Sequence, residues 1–507
     1  MFLLYDSNER DTTFENDEHL LNTLKGLGLK RILALEERTI ASFLTADLRH
    51  IRRRQEIFSD LEKKPELCEV LRQMREDLNN IREMSQKRAQ LGRTAEDVLY
   101  SFGEVVLFIT MIKEAGNALS QTSPESAALK ELDSTLREIA DDPKFHEISA
   151  YVEDLSQRRQ FARSMTLGVN LDASFGVKEV GVVAIHDDYY TVSNLFTSIF
   201  GGTGKKNSLV CMTPFAQGEK SQVMNHTVYN ILNNYILHAF TNARAVLLRY
   251  ISSVISVFYP LVDELDFILR VHGFCSEIRE KKGKLCMPEF QKHRLFLKNC
   301  WEPSLLHKMN IGSIVKNDME ADETTSILLL TGPNNGGKSV YLKSIGIAAV
   351  MAQLGMPICA NRAELPLFTR ILCHFPAADS PDESRLVAEC RNMRAILDVL
   401  DGKSLLLMDE SFSGTASVEG AVIAGEVLKT VRARAALCVF STHMHELAAK
   451  SSVEEFNRGT PKMKTLSAEY QDGRRTYRIV EQPDSGFSRA YEIAAQFGLQ
   501  FKENREA

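Results

Sequence analysis

Three short stretches of this chain carry residue types suited to phosphate chemistry. Thr331-Gly-Pro-Asn-Asn-Gly-Gly-Lys-Ser339 fits the pattern G-x-x-x-x-G-K-[ST] through Gly332, Gly337, Lys338 and Ser339. A glycine-rich turn ahead of a helix aims successive backbone N–H groups at a helix N-terminus, which suits an anionic phosphate chain. Lys338 would reach the β- and γ-phosphates, and the Ser339 hydroxyl would ligate Mg2+. Roughly 70 residues downstream, Ser404-Leu-Leu-Leu-Met-Asp-Glu410 is an apolar run ending in two carboxylates. Asp409 can hold Mg2+ directly or through water, because that ion prefers hard oxygen ligands. Glu410, one residue further, is placed to orient or deprotonate an attacking water. In the third stretch, Phe440-Ser-Thr-His443, the histidine stands where it would hydrogen-bond a γ-phosphate. The three together predict ATP hydrolysis with Mg2+.

Such groups need strands and helices to position them. Ile327-Leu-Leu-Leu330 reads as a short buried strand, and Val340 to Gln353 as the helix after the loop. From about Leu285 onward strands and helices alternate, as in an α/β nucleotide-binding domain. Upstream, about Leu20 to Arg163 reads as helical, punctuated by Pro65, Pro124 and Pro143. Between Thr166 and Gln217, Val180 to Ile185 and Leu209 to Met212 look like strands. Gly201-Gly-Thr-Gly-Lys-Lys206 reads as a loop, since no Ser or Thr follows the lysine pair and no helix follows the turn. Long apolar helices return from Val223 to Lys282, with Pro260 as a break. The expected fold is mixed: a mostly α lever or core domain at 1–165 that resumes at 221–290, a small β-rich insert at 166–220, and an α/β P-loop ATPase domain of the ATP-binding-cassette type at 291–507.

Bulk properties narrow the partners. With 507 residues the chain exceeds one ordinary core, and its 44% apolar and 25% charged residues are typical of a soluble globular protein. A net charge of −6 provides no global basic field, so any nucleic-acid site must be a local patch. Nine cysteines without a C-x-x-C pair or metal-like spacing suggest reduced thiols and a cytoplasmic setting. Met1-Phe-Leu-Leu-Tyr5 is followed at once by Asp6, unlike a signal peptide. The longest apolar run, Ile251 to Val262, contains three serines and a proline and is too short to span a bilayer, so no membrane partner is expected. Asp47-Leu-Arg-His-Ile-Arg-Arg-Arg54 reads as a solvated helix face balanced by nearby acids rather than as a phosphate contact.

The loop Thr331 to Ser339, the segment Asp409-Glu-Ser-Phe-Ser-Gly-Thr-Ala-Ser417 and the segment Ser441-Thr-His-Met-His-Glu-Leu447 resemble the three ATPase signatures of the MutS family of DNA mismatch-repair proteins. The usual wording of those signatures is T-G-P-N-M-G-G-K-S-T, D-E-x-G-R-G-T-S and T-H-x-x-E-L. Upstream, Val315-Lys-Asn-Asp318 resembles the family's N-D dipeptide, Leu265-Asp266 with Pro288-Glu289 the end of its second lever helix, and Arg49 to Leu71 the start of its helical core. Ser485-Gly-Phe-Ser-Arg-Ala-Tyr-Glu-Ile493 resembles its final turn and helix. The resemblance implies nucleotide binding by Gly332, Pro333, Asn334, Asn335, Gly336, Gly337, Lys338 and Ser339. It implies Mg2+ at Ser339 and Asp409, hydrolysis through Glu410, and γ-phosphate sensing by His443. Ser384, in Glu383-Ser-Arg-Leu-Val-Ala-Glu389, matches the serine that reaches across a dimer onto the partner's nucleotide. A homodimer with composite sites is therefore implied, with ATP favouring the closed state. So are DNA, as mismatched or irregular duplex, and repair proteins as further partners.

The chain also departs from the wording. Val340 replaces a threonine, Asn335 a methionine, and Arg385-Leu386 the T-F after the signature serine. Ser411-Phe-Ser413 stands in place of x-G-R, so a glycine and an arginine are lost beside the acids. The helical core begins almost at Met1, leaving no room for a mismatch-reading domain, and the chain ends soon after Gly498 without the family's helical hairpin or a nuclease-like tail. Phe-x-Glu, the mismatch wedge, occurs at Phe102-Gly-Glu104, Phe145-His-Glu147 and Phe501-Lys-Glu503, scattered hits that read as chance. The leading expectation is an ATP-dependent DNA-binding ATPase with a role in mismatch repair. The alternatives are an ATPase acting on branched DNA or stalled ribosomes, and an ATP-gated dimerising scaffold. A transporter motor is disfavoured by the T-G-P-N and T-H-x-x-E-L wording.

Overall fold

The computed structural model describes residues 2–6, 11–91, 95–160, 164–174, 177–186, 244–332, 335–376, 384–471 and 474–481. The expected loop at 201–206, the expected strand at 209–212, Pro333, Asn334 and the closing segment at 485–493 lie outside them. The chain divides into two compact units: Lys64–Glu125 with Leu129–Asp266, and Phe2–Lys63 with Ser126–Ala128 and the residues from Phe267 on. The first helices belong to the same unit as the C-terminal part.

Those first helices are α1 (Glu18–Leu27), α2 (Leu29–Leu33), α3 (Glu37–Phe43) and α4 (Leu48–Lys63). Asp17 caps α1 by accepting from His19 N and Leu20 N, and Leu20, Leu24 and Leu27 form its buried stripe. The basic cluster on α4 forms a solvated face only in part: Arg49 and Arg52 are exposed, and Arg49 pairs with Asp47 at 2.7 Å. Arg53 and Arg54 are buried. Arg53 donates to Leu3 O, and Arg54 to Leu4 O and Phe43 O. Carbonyls left over by the irregular N-terminal segment and the end of α3 need donors, and these two guanidinium groups provide them.

The first unit is mostly helical: α5 (Glu66–Ala89), α6 (Ala95–Thr122), α7 (Ala127–Asp141) and α8 (Pro143–Gln160), then an antiparallel hairpin of β1 (Ser164–Leu171) and β2 (Val177–His186). Pro65 stands at the N-cap of α5 and Pro143 at the first position of α8, where the missing N–H costs nothing. Glu104, part of one Phe-x-Glu hit, is buried and ion-paired with Arg88, a structural role. The stretch Arg244–Glu280 is long and apolar enough, by length and composition, to cross a membrane. Yet Leu247, Ile251, Ile255, Phe258, Leu261 and Leu265 are buried in protein. Arg244, Asp263 and Asp266 pair with Asp97, Arg82 and Arg75. Apolar faces covered by protein and ion pairs to neighbouring helices mark a core helix. The expected break is present, with a 3-10 turn at Ile255–Phe258 ahead of α9 (Tyr259–Glu280), which holds Pro260 in its first turn.

The second unit contains two sheets. Strands β3 (Glu289–Phe290), β4 (Arg294–Cys300), β5 (Asn317–Asp322) and β7 (Arg362–Leu365) form a mixed sheet in the order β3-β7-β4-β5. The larger sheet runs β12 (Arg474–Glu481), β11 (Lys462–Gln471), β6 (Thr325–Thr331), β10 (Leu437–Ser441), β9 (Ser404–Asp409) and β8 (Arg370–His374). All its pairings are parallel except that of β12 with β11. The central strands are apolar runs buried on both faces, as parallel strands covered by helices must be. Helices α10 (Lys338–Gln353), α11 (Arg385–Val399) and α12 (Ser417–Ala433) connect them. The N-terminal helices dock onto this layer. A Cβ on Gly346 of α10 would lie 2.5 Å from Leu407 Cδ1 and 2.8 Å from Leu27 Cδ2, so a side chain there would push both leucines aside, and glycine lets α10 lie close to β9 and α1. Gln353 Nε2 donates to Thr45 O and Phe368 O, and Arg370 pairs with Asp17 at 3.0 Å.

Candidate active site

The predicted residues leave the larger sheet along one edge. Strands β6, β10 and β9 are neighbours, with Leu330, Ser441 and Asp409 in register. The phosphate loop, the Thr442-His443 turn and the acidic pair therefore start from the carboxyl ends of adjacent strands, where open α/β sheets bind ligands. Beyond the strand ends Thr442 N donates to Leu330 O at 2.9 Å and Glu410 N to Ser441 O at 2.8 Å.

Within the phosphate loop Gly332 (φ +111°) and Gly337 (φ +93°) take the left-handed region, as does Asn335 (φ +59°). A Cβ on Gly332 would also sit 3.2 Å from Ala468 N. Gly337 is the N-cap of α10 and has no side chain to cover the helix's first N–H groups, which stay available to an anion. Lys338 is buried and its ammonium donates to Gly332 O. Burial lowers its pKa, while Glu410 and Asp409 act to keep it charged. Ser339 Oγ donates to Asp409 Oδ1 at 3.0 Å. Burial raises the Asp409 pKa against the pull of that hydrogen bond. The serine and carboxylate oxygens form a hard donor pair that suits Mg2+, whose other positions are usually filled by water and substrate phosphate. Among the described residues no group of three or more His, Cys, Asp or Glu side chains converges as a metal site.

A cavity of about 650 Å³ opens over the loop. Asn335, Gly336, Gly337, Lys338, Ser339 and Glu410 line it together with Leu305, Met309, Ile314, Val315 and Tyr477. A lining that mixes an ammonium and the N-terminus of α10 with apolar side chains suits a phosphorylated compound with a flat apolar base. Asn317 shapes the apolar side by donating to Tyr477 O at 3.1 Å and accepting from Ile479 N at 2.8 Å.

The loop after β9 is held differently. Glu410 (φ +48°) and Phe412 (φ +63°) are in the left-handed region without being glycine. Phe412 is fully buried and stacks on His374 at 5.6 Å between ring centroids. His374 Nε2 lies 3.0 Å from Glu389 O, and Nδ1 lies 2.7 Å from Ser411 Oγ. A carbonyl only accepts, so Nε2 carries the proton, and in the neutral ring Nδ1 accepts from the Ser411 hydroxyl. Burial lowers the His374 pKa, which favours that neutral ring. Ser413 N donates to Glu410 O at 3.3 Å.

The structure thus brings Asn335, Gly336, Gly337, Lys338, Ser339 and Glu410 to one cavity, with Asp409 attached through Ser339 and Gly332 through Lys338. His443 and Ser384 are both exposed, and neither lines the cavity. Ser384 is the N-cap residue of α11, and its side chain makes no capping hydrogen bond. Sequence reasoning did not single out the apolar wall, His374, or Arg385 as site components. The wall residues come from separated segments with no shared pattern, and the other two act through contacts between elements.

Residues 328–494 match the profile of MutS domain V. The DNA mismatch repair protein MutS of Lactobacillus delbrueckii subsp. bulgaricus is 36% identical over 179 residues, 34% of this chain and 21% of that protein. Its counterpart from Staphylococcus haemolyticus is 34% identical over 191 residues, 37% of this chain and 21% of that protein. Endonuclease MutS2 of Streptococcus thermophilus is 32% identical over 245 residues, 47% of this chain and 29% of that protein. The matched part therefore spans between a fifth and a third of the length of these relatives.

Proposed function

We propose, from the match of residues 328–494 to MutS domain V, that the chain is a MutS-family protein and a DNA-binding ATPase that uses ATP to switch a DNA-gripping dimer. The observation that carries this reading is the row Leu330, Ser441 and Asp409, from which the phosphate loop and Glu410 reach one cavity, with Asp409 joined to it through Ser339. In this reading Lys338 and the N–H groups at the start of α10 bind the phosphate oxygens. Glu410 accepts a proton from the attacking water, and its backbone tie to Ser441 O holds it beside the loop. Ser339 and Asp409 hold Mg2+, which when bound supplies neutralisation of phosphate charge. Ser384 is exposed in the single chain, as suits a group that meets the partner's nucleotide when two chains close, and the exposed His443, just beyond β10, senses the γ-phosphate. Nucleotide contacts made only in the closed pair then favour closure. The DNA is held mainly through backbone contacts and shape, with mispaired or irregular duplex as the proposed target and mismatch repair as the proposed role.

Turnover of ATP by the purified protein tests the chemistry. Glu410→Gln should lower kcat at least about 100-fold while ATP still binds, and Ser384→Ala should lower it in the dimer. Unchanged turnover in both would sink the mechanism. Binding to perfect, mispaired and four-way-junction DNA, at one fixed salt with ADP and with ATP, tests the ligand. Preference for the mispaired duplex supports the mismatch reading. A second reading keeps the same ATP site in an ATPase acting on branched DNA or stalled ribosomes. Equal binding to perfect and mispaired duplex, or preference for the junction, would select it.

A further inference from the structure

The three residues that replace x-G-R after the acidic pair all contact one cluster. Ser411 bonds His374, Phe412 stacks on it, and Ser413 Oγ accepts from Arg385 Nη2 at 3.1 Å. Arg385 Nε also donates to Glu389 Oε1 at 3.0 Å. Glu389 is fully buried, its other oxygen, Oε2, has no hydrogen-bond partner, and its carbonyl meets His374 Nε2. The circuit is closed: Arg385 to Glu389, to His374, to Ser411, along the loop past Glu410's carbonyl to Ser413, and back to Arg385. The Arg385 stem lies along the loop as well, since a Cβ on Gly414 would be 3.2 Å from its Cδ. The region into which the residue 413 side chain points is therefore occupied by a guanidinium that arrives from α11 instead of from the loop.

We propose that Arg385 is the arginine of the acid loop, relocated to the first turn of α11, and that it holds the Glu410 loop in working geometry while joining it to Ser384, the preceding residue, at the exposed helix start. The proposal rests on the ATPase reading above and makes Arg385 a positioning residue. Arginine suits this task because its planar fork donates in two directions at once, here to a buried carboxylate and to a serine on the neighbouring loop. Lysine has three donors, but all on one nitrogen, so it lacks the rigid fork that spans these two separated acceptors. The link also gives a dimer contact at Ser384 a covalent neighbour that touches the chain's own catalytic loop. The serine a chain presents outward and the acid it uses itself are thus mechanically adjacent.

The test is a transplant read by ATP turnover and by thermal midpoint. Arg385→Thr and Ser413→Arg are each expected to lower kcat about 10- to 100-fold with KM for ATP within about twofold, the signature of misplaced chemistry rather than lost binding. In Ser413→Arg two guanidinium groups crowd one carboxylate. The double variant, which returns a single arginine to the same space from the other side, is expected to recover kcat to within about threefold of the parent. Arg385→Ala leaves a buried carboxylate without its cation, so folding is guarded by a milder pair. Ser413→Ala removes only the accepting oxygen and should lower kcat about threefold. Arg385→Ala with Glu389→Gln removes both charges and should stay folded but slow. Parental kcat in the last variant, or a double transplant no faster than the slower single, overturns the proposal while leaving the ATPase reading intact. A parent chain with no ATP turnover overturns both.

Discussion

The phosphate loop and the acid loop pose the same backbone problem and solve it in opposite ways. Each must turn sharply at the end of a parallel strand, and each places residues at positive φ. In the phosphate loop Gly332 and Gly337 take that conformation, at no steric cost. In the acid loop Glu410 and Phe412 take it, which costs an L residue about 1–2 kcal/mol each. The second solution persists only because surrounding contacts determine it: Phe412 is buried in the core between β9 and α12, Glu410 N is bonded to Ser441 O, and Ser411 and Ser413 are held by His374 and Arg385. One loop owes its shape to residue type, the other to tertiary context.

The largest effect expected from this contrast falls on Phe412. Phe412→Ala should cost about 3–5 kcal/mol of stability, through lost burial and the cavity left beside His374. The sharper comparison is with Phe412→Gly. In a strand or helix interior glycine is the less stable choice by about 0.5–1 kcal/mol. At φ +63° the order should invert, with the glycine variant more stable than the alanine variant by about 1 kcal/mol in denaturant unfolding. If alanine is the more stable of the two, the left-handed conformation is not imposed on this loop in the folded protein.

A smaller effect of a different kind is expected at Gly337. Gly337→Ala introduces strain of about 1–3 kcal/mol at φ +93°, in a loop whose N–H groups face the cavity and not the core. That strain is relieved by shifting the loop, so the loss should appear as about 10- to 100-fold weaker ATP binding, with a thermal midpoint close to the parent's. Loss of stability without loss of affinity would mean that the phosphate loop too is held by packing, and the contrast between the two loops would disappear.

The same difference decides what was legible in the sequence. Glycines, a lysine and a serine at fixed spacing signal the phosphate loop because the conformation is written in the residues that adopt it. The strands β6, β9 and β10 were legible as apolar runs, and the acids at the end of β9 as their polar terminus. The bracing of the acid loop was not, because His374 comes from β8 and Arg385 and Glu389 from α11, and nothing local to Ser411-Phe-Ser413 announces them. From the family wording the loop reads as a loss of glycine and arginine, whereas the structure shows a different set of contacts in the same place. Docking of α1 to α4 on the α/β layer was hidden for a related reason, since helical periodicity tells which face is buried but not against what. Arg53 and Arg54 make the point most simply. Their charge reads as solvated, and their partners are backbone carbonyls at Leu3, Leu4 and Phe43 that no side-chain pattern reveals.

Asn335 lies between the two solutions and gives the smallest expected effect. It sits at φ +59° on the cavity side of the phosphate loop, exposed, where the family wording has methionine. Asparagine tolerates the left-handed region better than other non-glycine residues. Asn335→Gly should therefore change stability by no more than about 0.5 kcal/mol. Asn335→Met, which restores the family wording, should cost about 1 kcal/mol, because a long side chain pays the left-handed penalty that asparagine largely avoids. Titration with ATP separates backbone from contact. If Asn335 matters only for conformation, the glycine variant binds ATP like the parent and the methionine variant slightly less well. If the glycine variant binds about tenfold more weakly, the amide itself touches nucleotide, and the phosphate loop then relies on a side chain at the position of positive φ that, among its described residues, is not glycine.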